Sequence, residues 1–177
     1  MKKYEFTGEV KYIGRKILHR IRAVRDIPEY EIKSGDMGGW LETEENLSHN
    51  GAAWVANSAC VMDSARVTDS ALVMGTACVT GKARVTGKAW VSGNARVMKS
   101  SDCITIGAIG SRNDTTTFYR GADGKIYVSC GCFNGTIDDF AAEVKQVHAG
   151  TKHERTYLLA IELAKAQIAT AEEEDKC

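Results

Sequence analysis

The residues best equipped for chemistry lie in the last third of the chain. Gly110-Ser111-Arg112-Asn113-Asp114-Thr115-Thr116-Thr117 is a polar run that gathers a guanidinium, hydroxyls and a carboxamide. Such groups together can hold phosphate oxygens and a base edge. Tyr119 and Arg120 follow with a ring and a second cation. The candidate ligand-binding residues are therefore Ser111, Arg112, Asn113, Asp114, Thr115, Tyr119 and Arg120, and the ligand they suggest is a small phosphorylated molecule. A solvated hairpin loop, in which Asn113 and Asp114 merely make the turn, accounts for the same run. No nucleophile-base pair and no Gly-x-x-x-x-Gly-Lys loop accompanies it, so no catalytic residue is assigned.

Cys130-Gly131-Cys132 is the second signal. Two thiolates one residue apart, joined by Cys103 or His148, can in principle bind zinc, but strong zinc signatures use two-residue or longer gaps. Alternation along a strand would put both sulfurs on one face, and a packed pair of small side chains explains them as well. No metal and no cofactor is assigned.

These groups need a scaffold, and the middle of the chain declares one when written six residues at a time. Alanine recurs at 53, 59, 65, 71, 77, 83, 89 and 95, and valine two places later at each step, through eight hexads. A period of six fits no helix. Each hexad reads as a short strand with alanine and valine on one side, followed by a corner carrying Asn57, Asp63, Asp69, Gly75, Gly81, Gly87 or Gly93.

This pattern resembles the left-handed parallel β-helix of the hexapeptide-repeat superfamily, in which three hexads make one triangular coil. The resemblance implies about three coils, with Leu47 and His49 beginning a ninth hexad, and a prism some 15 Å tall. Side chains 18 residues apart then share a face. Trp54, Leu72 and Trp90 fall on one, with Met74 beside them; Cys60, Cys78 and Arg96 on a second; Arg66 and Arg84 on a third. Soluble monomers seldom leave an apolar stripe bare, so something must cover Trp54, Leu72, Met74 and Trp90. Hexapeptide-repeat proteins form trimers, which makes this stripe the expected oligomer interface; cover by the chain's own terminal segments is the alternative.

Many members of that superfamily are acyltransferases with a histidine at a subunit junction. Here the hexads contain none, and His49 sits at their edge; the zinc-dependent branch needs three histidines, and the others are His19, His148 and His153. KSGDMGGWLETEENLS, the hexads, and IGSRNDTTTFYR followed by SCGCFNGT resemble bacteriophage and prophage proteins that carry a β-helix and a small C-terminal α/β domain.

The flanks complete a mainly β architecture: an N-terminal hairpin and cap (1–46), the solenoid (47–100) and a C-terminal α+β domain (101–177). YEFTGEVKYI and ILHRIRAVRDI alternate around Gly14-Arg15-Lys16 as a hairpin, and a glycine-rich loop delivers Trp40 and Leu41 onto the first coil. CITIGAI, TTTFYR and KIYVSCGCF read as three strands. Two helices follow. The first is capped by Thr136 or Asp138, with a stripe of Ile137, Phe140, Ala141, Val144 and Val147; the second runs from about Lys152 to Ala171 with Tyr157, Leu158, Ile161, Leu163, Ala164 and Ile168, before an acidic end.

Composition bounds the partners. Basic and acidic residues both number 23, so no whole-chain field attracts nucleic acid. The N-terminus lacks the apolar run of a signal peptide and no stretch reaches a membrane span, which points to the cytoplasm, the host's if phage-encoded, and to reduced cysteines. The expected function is a non-catalytic homo-oligomeric binder of a small phosphorylated ligand or a host protein, for example a counter-defence protein that sequesters a nucleotide signal. An atypical transferase with its site at a subunit junction and a structural trimerisation module are the alternatives.

Overall fold

The structure is a computed structural model that describes residues 2–168. Three strands precede the solenoid: β1 (Tyr4–Ile13), β2 (Lys16–Ala23) and β3 (Met37–Leu41). Eight two-residue strands build it: β4 (Trp54–Val55), β5 (Cys60–Val61), β6 (Arg66–Val67), β7 (Leu72–Val73), β8 (Cys78–Val79), β9 (Arg84–Val85), β10 (Trp90–Val91) and β11 (Arg96–Val97).

The hexads fold as a three-turn β-solenoid. Parallel pairing puts Trp54 beside Leu72 and Leu72 beside Trp90 on one face, Cys60 beside Cys78 and Cys78 beside Arg96 on the next, and Arg66 beside Arg84 on the third. No alanine or valine of the repeat is more than 2% exposed. Each buried valine contributes about 1.5–3 kcal/mol, and the alanines keep the three walls close near the corners. Leu47 bridges to Val67 and is likewise buried, so it opens one further rung.

The corners explain the residues found there. Asn57, Asp63 and Asp69 have φ of 58–61°, and the four glycines at the later corners have φ of 61–72°. All seven adopt the left-handed conformation that Gly, Asn and Asp enter at least cost. Asp63 and Asp69 add a second role, since their carboxylates accept the backbone N–H of Gly81 and Gly87 one coil on, each at 3.0 Å.

The N-terminal hairpin extends one solenoid face. β2 pairs with β3, and β3 runs parallel to β5 with Trp40 opposite Cys60, giving a six-stranded sheet in the order β1-β2-β3-β5-β8-β11. Lys3 closes the end of the prism: its ammonium donates to the Ala53 carbonyl at 2.6 Å, and burial, with Arg25 nearby, pushes its pKa down to about 8.

After the solenoid come β12 (Cys103–Ile109), β13 (Asp114–Arg120), β14 (Ile126–Cys130) and β15 (Phe133–Thr136), an antiparallel meander, then α1 (Ile137–Val147) and α2 (Lys152–Gln167). One sheet face carries Phe118, Ile126 and Val128 against Phe140, Val144, Tyr157 and Ile161 of the helices. The other face rests on the last coil, where Tyr119 joins the solenoid core and the Trp90 N–H donates to Thr117 Oγ1 at 3.0 Å. The C-terminal sheet therefore covers the open end of the prism.

Two local expectations change, and the choice between two caps is made. KIYVSCGCF is two strands broken by a Gly131-Cys132 turn, because Cys130 pairs directly with Phe133. Val147 and Leu163 are exposed rather than part of the helical stripes. Thr136 caps α1, accepting the Asp139 N–H. The end of the expected second helix, the acidic tail and Cys177 lie outside the described residues. Among the described residues no helix is long and apolar enough to cross a membrane.

Candidate functional site

A cleft of about 200 Å³ opens where the β12–β13 loop, the β14–β15 turn and the two helices meet. The loop supplies Ser111, Arg112 and Asp114; the turn supplies Cys130, Gly131, Cys132 and Phe133; α1 and its end supply Phe140, Glu143, Val144, Val147 and His148; α2 supplies Tyr157. Two stretches singled out separately in the sequence thus share one concave surface.

Local geometry explains how each side chain arrives. Gly110 has φ of 75°, and a Cβ there would stand 1.7 Å from the Tyr157 hydroxyl, so the loop can turn beneath the ring only with glycine. Asn113, with φ of 50°, closes the turn by donating its N–H to the Gly110 carbonyl at 3.3 Å. Gly131, with φ of 58°, takes the first place of the two-residue hairpin turn, the place glycine fills in a type II′ turn. Cys132 follows at the exposed tip, so the two sulfurs do not alternate along one strand as expected.

Arg112 lies across this turn. Its Nη2 is 3.7 Å from Cys132 Sγ, and its Nη1 lies 3.0 Å from where a Cβ on Gly131 would stand. Cys130 is held on the helix side, accepting from the Thr116 hydroxyl at 3.2 Å and lying 3.7 Å from the Tyr157 hydroxyl. Burial, reinforced by the contact with Cys130, pushes the Tyr157 phenol up to about 12, while Arg112 and the Ser111 backbone pull the other way. Tyr157 therefore stays neutral at physiological pH. Its ring meets Phe140 edge to face at 5.4 Å and lies tilted against His148 at 5.6 Å between centroids.

Of the seven candidate ligand contacts, Ser111, Arg112 and Asp114 line the cleft. Asn113 shapes the turn, and Thr115 is half-buried beside it. Tyr119 and Arg120 are elsewhere, a correction imposed by strand geometry: five steps along β13 carry Tyr119 about 17 Å from Asp114. Tyr119 faces the solenoid, hydrogen-bonded to Ser92 at 3.1 Å, and Arg120 is buried beside Arg96, Met98 and the Gly121–Gly124 turn. Sequence reading had set His148 beside Cys130 and Cys132, with which it lines the cleft, but missed Glu143 and Tyr157. For Tyr157 the signal was an aromatic among the apolar positions of α2.

The expected interface stripe is also redistributed. Its column stacks in register, but Trp54 is 1% and Leu72 8% exposed within the single chain, and only Trp90, at 43%, remains open. The chain's own Tyr30, Ile32 and Met37 flank Trp54, Leu72 and Met74. The Tyr30 hydroxyl is tied to the Ser70 carbonyl, and the Trp90 indole N–H points at Met74 Sδ, 3.1 Å away. The N-terminal segment thus covers the lower two rungs, as the alternative reading of the stripe had it.

His49 does approach a carboxylate, with Nε2 3.8 Å from Glu44, but its ring stacks on Tyr4 and Nδ1 accepts the Lys3 N–H at 3.2 Å, a capping role. Among the described residues no three His, Cys, Asp or Glu side chains converge as a metal cluster. Fold and cleft together define a β-solenoid with an α+β module at one end, and that module carries a small cleft. No family model and no curated protein matches the chain.

Proposed function

We propose that the chain is a binding protein that holds the phosphorylated end of a small molecule in the C-terminal cleft, with Arg112 as the principal grip. The observation that carries this reading is that Arg112 lines a concave site that Ser111 and His148 also line. A guanidinium binds phosphate oxygens through paired N–H donors. Asp114 and Glu143 in the same lining oppose a bare polyanion. They favour a ligand that joins an anionic end to hydroxyl or amino donors, as a nucleotide or sugar phosphate does. At about 200 Å³ the cleft is smaller than the roughly 300–1,000 Å³ of most drug-sized sites, which favours a mononucleotide-sized ligand or a fragment of it.

The resemblance to phage proteins supports a counter-defence setting in which a nucleotide signal is sequestered. Assembly through the exposed Trp90 end of the solenoid would present several clefts at once. Calorimetric titration of mono- and cyclic nucleotides and sugar phosphates into wild type and Arg112→Ala tests the reading. Loss of the guanidinium should weaken binding about ten- to a hundredfold, without changing oligomer size. Absence of binding to every member of the panel would turn the assignment toward a host-protein target.

A second reading is favoured by one observation: Cys132 and His148 line the same cleft. A thiol and an imidazole facing one ligand are the components of group-transfer chemistry. Turnover of a bound compound that Cys132→Ser abolishes while leaving its affinity intact would select this reading over simple binding.

A further inference from the structure

We propose that Cys60 and Cys78 are a reversible disulfide-forming site, which reacts with low-molecular-weight disulfides and staples one coil of the solenoid to the next. The two residues are 18 apart in sequence but direct partners across β5 and β8. Their sulfurs lie 3.1 Å apart. Neighbouring strands sit about 4.8 Å apart, inside the roughly 4.4–6.8 Å Cα window of disulfides, and the sulfurs need close only to about 2.05 Å. The site therefore requires a side-chain adjustment and no movement of the coils.

The surroundings divide the labour between the thiols. Cys60 is 5% exposed, packed under Leu18 and Met62 with Trp40 against it, whereas Cys78 is half-buried and can be reached. The charged groups around the pair are Lys11, which lies 4.8 Å over the Trp40 ring, Arg96, the next residue in the Cys78 column, and the opposing carboxylate of Asp63. The hydrogen bond from Cys60 holds the Cys78 thiol below its ordinary value; Arg96 and Lys11 act in the same direction, burial and Asp63 against it. Cys78 is thus the attacking sulfur and Cys60 the resolving one.

The chemistry balances without a metal or a further oxidant. The Cys78 thiolate attacks one sulfur of a small disulfide RSSR, forming a mixed disulfide and releasing RS⁻, which takes up the proton that Cys78 gave to solvent. Cys60 then loses its proton and attacks Cys78 Sγ, releasing the second RSH. Two protein thiols are oxidised and one small disulfide is reduced to two thiols. Among the described residues no other pair is so placed: Cys103 is a poor nucleophile, its thiol pushed up to about 12 by burial, and Cys130 and Cys132 are separated by the Gly131-Cys132 turn.

The test incubates the full chain with oxidised glutathione, then maps disulfides by peptide mass spectrometry and follows thermal unfolding. The expected product links Cys60 to Cys78, is two hydrogens lighter, and is reversed by dithiothreitol. Closing a loop of this length should raise the melting midpoint by roughly 6–12 °C. Cys78→Ser should lose the shift, and Cys132→Ser should keep it. If Cys60 and Cys78 remain alkylatable after oxidation and denaturation, or the mapped link joins other cysteines, the site does not exist; this mapping needs only the wild-type chain, and it is independent of any ligand in the C-terminal cleft.

Discussion

The hydroxyls of Ser92 and Tyr119 lie 3.1 Å apart at the buried seam between the last solenoid coil and the C-terminal sheet. Tyr119 also reaches Ser129 at 3.4 Å, and the Asn134 amide donates to both serines. The seam is a polar network, buried at Ser92, Tyr119 and Ser129 and reaching the surface at Asn134, which ties the cleft-bearing sheet to the last coil. It also places Tyr119 away from the C-terminal cleft.

Tyr119→Phe removes one member and leaves buried serine hydroxyls with fewer partners. Stability should fall by about 1–3 kcal/mol. Urea unfolding measures the loss, and affinity for a cleft ligand should stay within experimental error because Arg112 lies at the far end of β13. A large affinity loss with unchanged stability would contradict the separation of seam and cleft.

Gly110→Ala should damage the cleft itself. The added methyl group would collide with the Tyr157 hydroxyl, and the left-handed backbone at φ of 75° adds strain of about 1–3 kcal/mol. The expected outcome is a lowered melting midpoint together with weakened ligand binding, since Tyr157 must leave its place beside Cys130. Unaltered fluorescence and binding would show that the loop does not turn beneath the ring.

Trp90 and Leu72 separate self-association from folding. Leu72→Asp places a charge at a position covered by the chain itself and should destabilise the monomer by more than about 2 kcal/mol. Trp90→Ser alters an exposed side chain, so its stability cost should be small. If Trp90 forms a subunit contact, light scattering should show Trp90→Ser to be a smaller species than wild type; equal masses would remove Trp90 from any interface.

The hairpin is anchored by an ion group with a defined pH signature. Lys16 lies 2.9 Å from Glu42 and 2.6 Å from Asp63, and Glu42 accepts the Asp63 N–H at 2.6 Å. The Asp63 N–H first, and then Lys16, hold the Glu42 carboxyl below its usual 4.5. A carboxyl depressed by folding contributes stability above the unfolded value and loses it as pH falls through the folded one. Glu42→Gln should therefore cost up to about 1 kcal/mol at pH 7, the group being partly solvated, and the difference from wild type should vanish at acid pH. Parallel denaturation curves from pH 3 to pH 7 would check it.

Much of the fold is readable along the chain because each rung is made of adjacent residues. Alanine and valine two apart, with Asn, Asp or Gly at the next corner, specify a strand, an inward face and a left-handed turn within six residues. The coil length of 18 then predicts every stacked pair, from Trp54 and Leu72 to Cys60 and Cys78. Loop composition likewise pointed to Ser111, Arg112 and Asp114, because groups that bind oxyanions are recognisable by type alone.

What covers each surface was decided only in three dimensions. The alternation that marks a strand does not say which neighbour each face meets, so Tyr119 and Arg120 looked like ligand contacts until β13 was seen to lie across the last coil. Trp54 and Leu72 looked like an interface until Tyr30, Ile32 and Met37 were found against them. The cleft joins Arg112, Cys132, His148 and Tyr157 across 45 residues, and their meeting depends on how two helices pack on a sheet. Hexad order is a local property, set by backbone preference and the size of the next side chain; burial is a property of the whole packed chain, since it is the sum of contacts between segments whose sequences carry no record of each other.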